Sequence, residues 1–419
     1  MRSVIRNCVI AALALSVSDA AFAQSQTKTT APATTTARAT TAASAPAPEK
    51  PAATAAPEPA PVRAATPPAP APEPAPANKV AERGLELPAE LPEPEQTSRR
   101  GADTPNPTNF PVVTFGVLSF LQYEARLHEA NGYNAFDVTR GYLNIRARLT
   151  DRVSFRFTPD VRPTTDANLD QNLALRLEYA SVDVKASDGI TLMFGLHEMP
   201  WLAFEETVNR YRVVGPFFAE RLGLIPGPVD LGVSVKATGE RTEVHVGVYN
   251  GEGFGRAEID KYKSIDGRAT FKPFDADSEL GKVTISGFYQ YGWYARDRPR
   301  NVAIGMGSYE SDKVLVTAQY LQATDNPFVA VDIQRRGMSF FGEGRQGKTG
   351  WAGIGGLDIL DPDADQANDS QRRLIFGGAH WSEVGRGRLG VVISLEQTFR
   401  LSDSALLDRR LLAQTHVEF

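Results

Sequence analysis

The sequence predicts an all-β chain: a transmembrane antiparallel β-barrel of about sixteen strands, preceded by a disordered Pro/Ala-rich segment. Three observations carry that expectation. The first residues form a secretory signal. The composition changes abruptly at Phe110. From there to Phe419 short runs of alternating apolar and polar residues follow one another.

The N-terminal element comes first. Arg2 and Arg6 make a short basic stretch, Val9 to Val17 an apolar one, and Ala21-Phe22-Ala23 the small-x-small pattern of a signal-peptidase site. Residues 1–23 therefore read as a signal peptide, with Gln24 as the mature N-terminus. The apolar run is too short for a membrane helix, which needs roughly 20 residues. Cys8, the chain's single cysteine, is removed with it, so neither a disulfide nor a thiolate metal site is expected in the mature chain.

Residues 24–109 contain no Phe, Tyr or Trp and hold well over half of the chain's 29 prolines. Pro67-Pro68-Ala69-Pro70 and Glu73-Pro74-Ala75-Pro76 are typical. Such a composition cannot bury enough apolar surface to offset its conformational entropy, and frequent Pro favours an extended chain. The segment reads as a disordered periplasmic linker; the sharper alternative is an arm that contacts peptidoglycan or a partner.

Residues 110–419 form the expected barrel domain. Val153, Phe155 and Phe157 alternate with Ser154, Arg156 and Thr158; Val244, Val246 and Val248 alternate with Glu243, His245 and Gly247. A period of two with one apolar face marks a strand. The strands are expected near 111–126, 138–150, 152–160, 173–185, 189–199, 230–238, 241–250, 263–273, 281–294, 301–310, 312–324, 332–343, 350–360, 371–383, 387–400 and 408–419. The stretch 332–343 has the least regular pattern, because Arg335, Arg336 and Gly337 interrupt it. The connections alternate in length. Thr150-Asp151-Arg152, Ser187-Asp188-Gly189 and Thr238-Gly239-Glu240 are tight turns, while 129–135, 162–171 and 361–369 are longer. Bacterial barrels show that alternation, with short periplasmic turns and longer outer loops. In the last strand Leu411, Ala413, Thr415, Val417 and Phe419 share one face. A terminal aromatic on such a strand is the signal that barrel-assembly machinery reads, which makes Phe419 the expected assembly signal.

With the apolar face toward lipid, the polar face lines the lumen. Arg146, Arg148, Arg156, Arg176, Lys236, Arg268 and Lys272 fall on it and are the pore-lining, anion-binding candidates, although Glu124, Glu178, Glu243 and Glu396 fall there too. The connection 199–229 is the longest and is rich in apolar residues, among them Trp201, Phe204, Tyr211, Phe217 and Phe218. A loop this apolar needs a surface to pack on. Folded into the barrel, it would set a constriction bearing Glu205, Glu206, Arg210, Arg212, Glu220 and Arg221; the alternative is a loop that caps the barrel or latches a neighbouring subunit.

Enzyme-like strings fail their contexts. Gly385-Arg386-Gly387-Arg388-Leu389-Gly390 matches a dinucleotide fingerprint but enters a strand rather than a helix, and Trp201 stands where a zinc-protease helix after His197-Glu198 needs its second His. The Asp361, Asp363, Asp365 and Asp369 stretch lacks the Gly and closing Glu of a calcium loop. No catalytic residue, metal site or cofactor is expected. The net charge of −5 gives no reason to expect a nucleic-acid partner.

Arg140-Gly141-Tyr142-Leu143, followed by Asp151-Arg152-Val153 and Phe155-Arg156-Phe157-Thr158-Pro159-Asp160, resembles the opening hairpin of the phosphate-selective porin O and P family. Leu192-Met193-Phe194-Gly195, Asp230-Leu231-Gly232-Val233, Gly350-Trp351-Ala352 and the ending Arg410 to Phe419 resemble later landmarks. The resemblance covers the barrel and not the linker. It implies a sixteen-stranded, trimeric outer-membrane channel. The expectation is passive diffusion of small hydrophilic solutes, favouring anions such as phosphate, in contact with outer-membrane lipid and lipopolysaccharide. The rival is a structural barrel that anchors the envelope and conducts little.

Overall fold

The computed structural model describes residues 110–419, apart from 130, 131, 165–172, 257, 259, 260, 276, 277, 279, 280, 328 and 330. The expected signal peptide and linker lie outside the described residues. The described chain is a closed antiparallel barrel of 16 strands. They are β1 Val112–Arg126, β2 Asn134–Arg148, β3 Val153–Pro163, β4 Leu173–Ser187, β5 Ile190–Glu198, β6 Val229–Thr238, β7 Thr242–Tyr249 and β8 Ser264–Phe271. The second half comprises β9 Lys282–Tyr291, β10 Arg298–Glu310, β11 Val314–Asp325, β12 Ile333–Arg345, β13 Gly350–Asp361, β14 Gln371–Val384, β15 Gly387–Arg400 and β16 Leu406–Glu418. Trp293–Ala295 continues β9 past Gly292 and pairs with the start of β10.

Each strand pairs with its neighbours in sequence, and β1 also pairs with β16, Phe120 opposite His416. Phe419 completes the seam: its N–H donates to Val117 O at 3.1 Å, and Val117 N–H donates to Phe419 O at 2.8 Å. Closure leaves no row of unpaired backbone groups, which a bilayer would not satisfy. Among the described residues no helix is long and apolar enough to cross a membrane.

The outward face carries Val233, Val246, Phe376 and Ile393 along the wall. Phe115, Phe271, Tyr309 and Trp351 lie toward the short-turn end, with Phe136 and Tyr291 toward the long-loop end. An apolar band between two aromatic girdles suits a bilayer and its two interfaces.

The simple pattern fails in two ways, the first being shifts of register, which occur between β1 and β2, β3 and β4, β4 and β5, and β15 and β16. Pairing of β3 with β4 shifts between Thr158 and Pro159, so Glu178 is an extra residue in β4 and both Glu178 and Tyr179 are buried on the inner side. The second departure corrects the simple rule that apolar residues face lipid. Phe288, Val302, Ile304, Met306, Leu321 and Ala323 face inward on β9, β10 and β11, and all are buried. They can do so because the long loop lies against them.

Candidate functional site: the barrel lumen

Residues 199–228 connect β5 to β6, and Met199 N–H donates to Pro228 O at 2.8 Å, which ties the two ends of the loop together. Between them lie α1 (Leu202–Val208), a 3-10 turn (Arg210–Val214) and α2 (Phe218–Arg221). Gly223, with φ of 71°, ends α2 in the left-handed conformation that suits glycine. The loop packs against the inner wall at two patches. Trp201, Leu202, Phe217, Phe218, Leu224 and Ile225 join Phe288, Val302 and Ile304; Tyr211, Val213 and Val214 join Ile354, Ile375 and Trp381. Burying large apolar side chains stabilises by about 1.5–3 kcal/mol each relative to exposure. The inserted position is therefore strongly favoured over a loop in water.

Polar contacts fix its register. Gln319 Nε2 donates to Glu205 at 2.7 Å, Tyr211 OH donates to Glu343 at 2.8 Å, and Trp381 Nε1 donates to Tyr211 OH at 3.2 Å. Arg140 pairs with Glu206 at 3.2 Å, and Arg268 Nε donates to Pro200 O at 2.7 Å. Glu205 belongs to the loop and is buried. Burial pushes its carboxyl up to about 7. Burial alone would also raise Glu206, but Arg140 and Arg212 outweigh it and hold that carboxyl below the ordinary range.

The sequence-derived candidates fall into two groups. Those of the loop are all engaged: Arg210 with Glu343, Arg212 with Glu206 at 2.9 Å and Glu220 at 2.6 Å, and Arg221 with Asp358 at 2.6 Å. On the wall, Arg268 is buried between Glu243, Thr270 and the Phe204 ring, Lys236 pairs with Glu198, and Arg176 pairs with Asp160 at 2.8 Å. Lys272 lies one residue beyond β8 and is exposed. It lines a cavity of about 290 Å³ together with Lys236, Glu198 and Glu243.

Arg146, Arg148 and Arg156 differ. Arg146 stands directly opposite Arg156 across β2 and β3, with Arg148 two residues along the same face. None of the three has a carboxylate partner among the described residues. Arg156 instead donates to Asn144 Oδ1 at 3.0 Å and Thr158 Oγ1 at 3.2 Å and stacks 3.3 Å from the Tyr179 ring centre; Arg148 lies 5.5 Å from the Phe110 ring. This strip is near the short-turn end of the lumen.

On the other side of the loop a second cavity, of about 450 Å³, is lined by the candidates Arg176, Arg212, Glu220 and Arg221 and by Arg140, Arg162, Arg373 and Arg410, which are not among the pore candidates read from the sequence. Ending β3 at residue 160 placed Arg162 in a connection; the strand in fact runs to Pro163.

Solved structures of outer-membrane porins share this fold. The anion-selective porin of Comamonas acidovorans superposes with a TM-score of 0.54 at 12% identity, covering 74% of this chain and 99% of that one. OmpF of Salmonella typhi, in complex with daunomycin, gives 0.52 at 9% identity over 74% and 100%. The outer-membrane protein OmpT of Vibrio cholerae gives 0.52 at 10% identity over 74% and 99%. No protein-family model and no curated protein matches the sequence.

Proposed function

We propose that this chain is an outer-membrane porin that lets small hydrophilic solutes, anions preferentially, diffuse through its lumen. The observation that carries the reading is the Arg146, Arg148 and Arg156 strip, three lumen-facing guanidinium groups without carboxylate partners among the described residues. Like charges opposite each other destabilise a sheet, and an anion passing between Arg146 and Arg156 relieves that repulsion. The loop of residues 199–228 narrows the path, so a passing ion is partly desolvated where fixed charge acts on it most strongly. Its own arginines are already paired with acids. They hold the loop in place, and the wall strip supplies the anion preference.

Phosphate is the finer assignment, supported by the resemblance of the opening hairpin and by the match between guanidinium forks and phosphate oxygens. The same reading makes the protein a homotrimer among outer-membrane lipid and lipopolysaccharide, delivered by barrel-assembly machinery that recognises Phe419. Residues 24–109 are then a periplasmic linker.

Proteoliposome swelling tests the porin assignment. Vesicles bearing the purified chain should swell in isotonic small sugars and fail to swell in large oligosaccharides. Vesicles that behave like protein-free controls in every sugar would leave an anchoring barrel as the better reading. Phosphate preference predicts that added phosphate blocks chloride current, and that R146Q/R156Q weakens the block.

A further inference from the structure

The cavity on the long-loop side of residues 199–228 is amphiphilic, and we infer that it is a subsite for carboxylates carrying an apolar body, such as small aromatic or branched aliphatic acids. The inference rests on the porin reading and deepens it. Every other arginine lining the cavity is held by an acid: Arg140 by Glu206, Arg176 by Asp160, Arg212 by Glu206 and Glu220, Arg221 by Asp358, Arg373 by Asp358 and Glu396, and Arg410 by Asp408. Arg162 alone has no hydrogen bond, ion pair or ring contact among the described residues. Its guanidinium is exposed to the cavity and free to take both oxygens of a carboxylate.

The rest of the wall is mixed. Glu124, Asp160, Glu178, Glu220 and Glu396 line it too, each held by an arginine or, for Glu178, by Tyr142, and between them runs an apolar patch. Val213, Val214 and Pro226 of the loop, Phe120 of β1 and Phe254 after β7 form that patch. Phe254 is held there from both sides. Its ring lies 4.1 Å from the Arg176 guanidinium, and it reaches the backbone at Gly227, where a Cβ would stand 3.0 Å from the ring. A small hydrated inorganic anion gains nothing from such a patch. An anion with an apolar body buries surface against it while its charge meets Arg162. The short-turn strip, by contrast, sets Arg146 opposite Arg156, whose own partners Asn144 and Thr158 are polar, and suits hydrated anions. The lumen thus presents two anion subsites of different chemistry on the two sides of one loop.

Current block in planar bilayers separates the two. The full chain would be held in potassium chloride and challenged with benzoate, with phosphate, and with benzyl alcohol as a neutral probe of similar body. Benzoate should block chloride current, benzyl alcohol should not, and R162Q should raise the half-blocking benzoate concentration about tenfold, the size of one lost charge-assisted contact. R162K should recover part of that loss. F254A should weaken the benzoate block and leave the phosphate effect unchanged, whereas R146Q/R156Q should do the reverse. Block by benzyl alcohol equal to that by benzoate, or a benzoate block unchanged in R162Q, overturns the subsite while leaving a conducting porin. Absence of any channel steps overturns the porin reading itself.

Discussion

Arg146 and Arg156 owe their meeting to local geometry. A tight turn at residues 149–152 sets the β2–β3 register, and the period of two then places both side chains on the inner face. That much follows from the sequence. The fate of the loop arginines does not. Arg210 and Arg221 find Glu343 and Asp358, which lie more than a hundred residues away, and no local pattern foretells such a pair. The same holds for Glu205, whose amide partner Gln319 comes from β11. Its buried carboxyl yields a prediction with a definite sign. The unfolded carboxyl titrates near its ordinary value of 4.5 and the folded one near 7, so the unfolded state binds fewer protons between those values. Stability should therefore fall as pH rises through that window. In E205Q the term disappears. Thermal unfolding in detergent should show the variant gaining on the wild type by about 1–3 kcal/mol between pH 5 and pH 8. A constant difference across that range would place the ionised carboxylate in a satisfied site.

The elements themselves were largely legible. Observed strands begin and end close to the expected limits, because alternation and turn chemistry are local signals. The largest shift is at β2, which starts at Asn134 rather than 138, since its pairing with β1 continues to Ala125. Bulges escaped detection: an extra residue such as Glu178 breaks the count on which the alternation argument depends. The irregular stretch at Arg335, Arg336 and Gly337 proves to be continuous strand β12. Gly337 has its own reason for lacking a side chain. A Cβ there would stand 2.5 Å from the Phe218 ring and 2.9 Å from Ile359 O, so the loop rests directly on this backbone. Replacing it should push the loop off the wall. G337V is expected to cost about 1–3 kcal/mol of stability, the usual range for overpacking, and to raise single-channel conductance as the loop gives way. Unchanged conductance in a folded G337V barrel would show that the loop does not limit the path.

At the scale of the molecule, alternating strands joined by turns close into a barrel in which the first strand pairs with the last. Loop insertion was foreshadowed by apolar residues that needed a surface. The surface itself was not, since inward-facing Val302, Ile304 and Met306 look in sequence like any lipid-facing strand. What the lumen selects depends on which charges remain unpaired after folding, a property of the whole assembly of side chains. The central claim is that the unpaired strip makes this an anion-preferring pore. The reversal potential across a planar bilayer in a potassium chloride gradient measures that preference directly. Wild type should reverse on the chloride side, and R146Q/R148Q/R156Q should move toward the potassium side. The shift should be larger at 0.01 M salt, where the Debye length is about 30 Å, than at 1 M, where it is about 3 Å. A wild-type channel that already reverses on the potassium side would contradict the account.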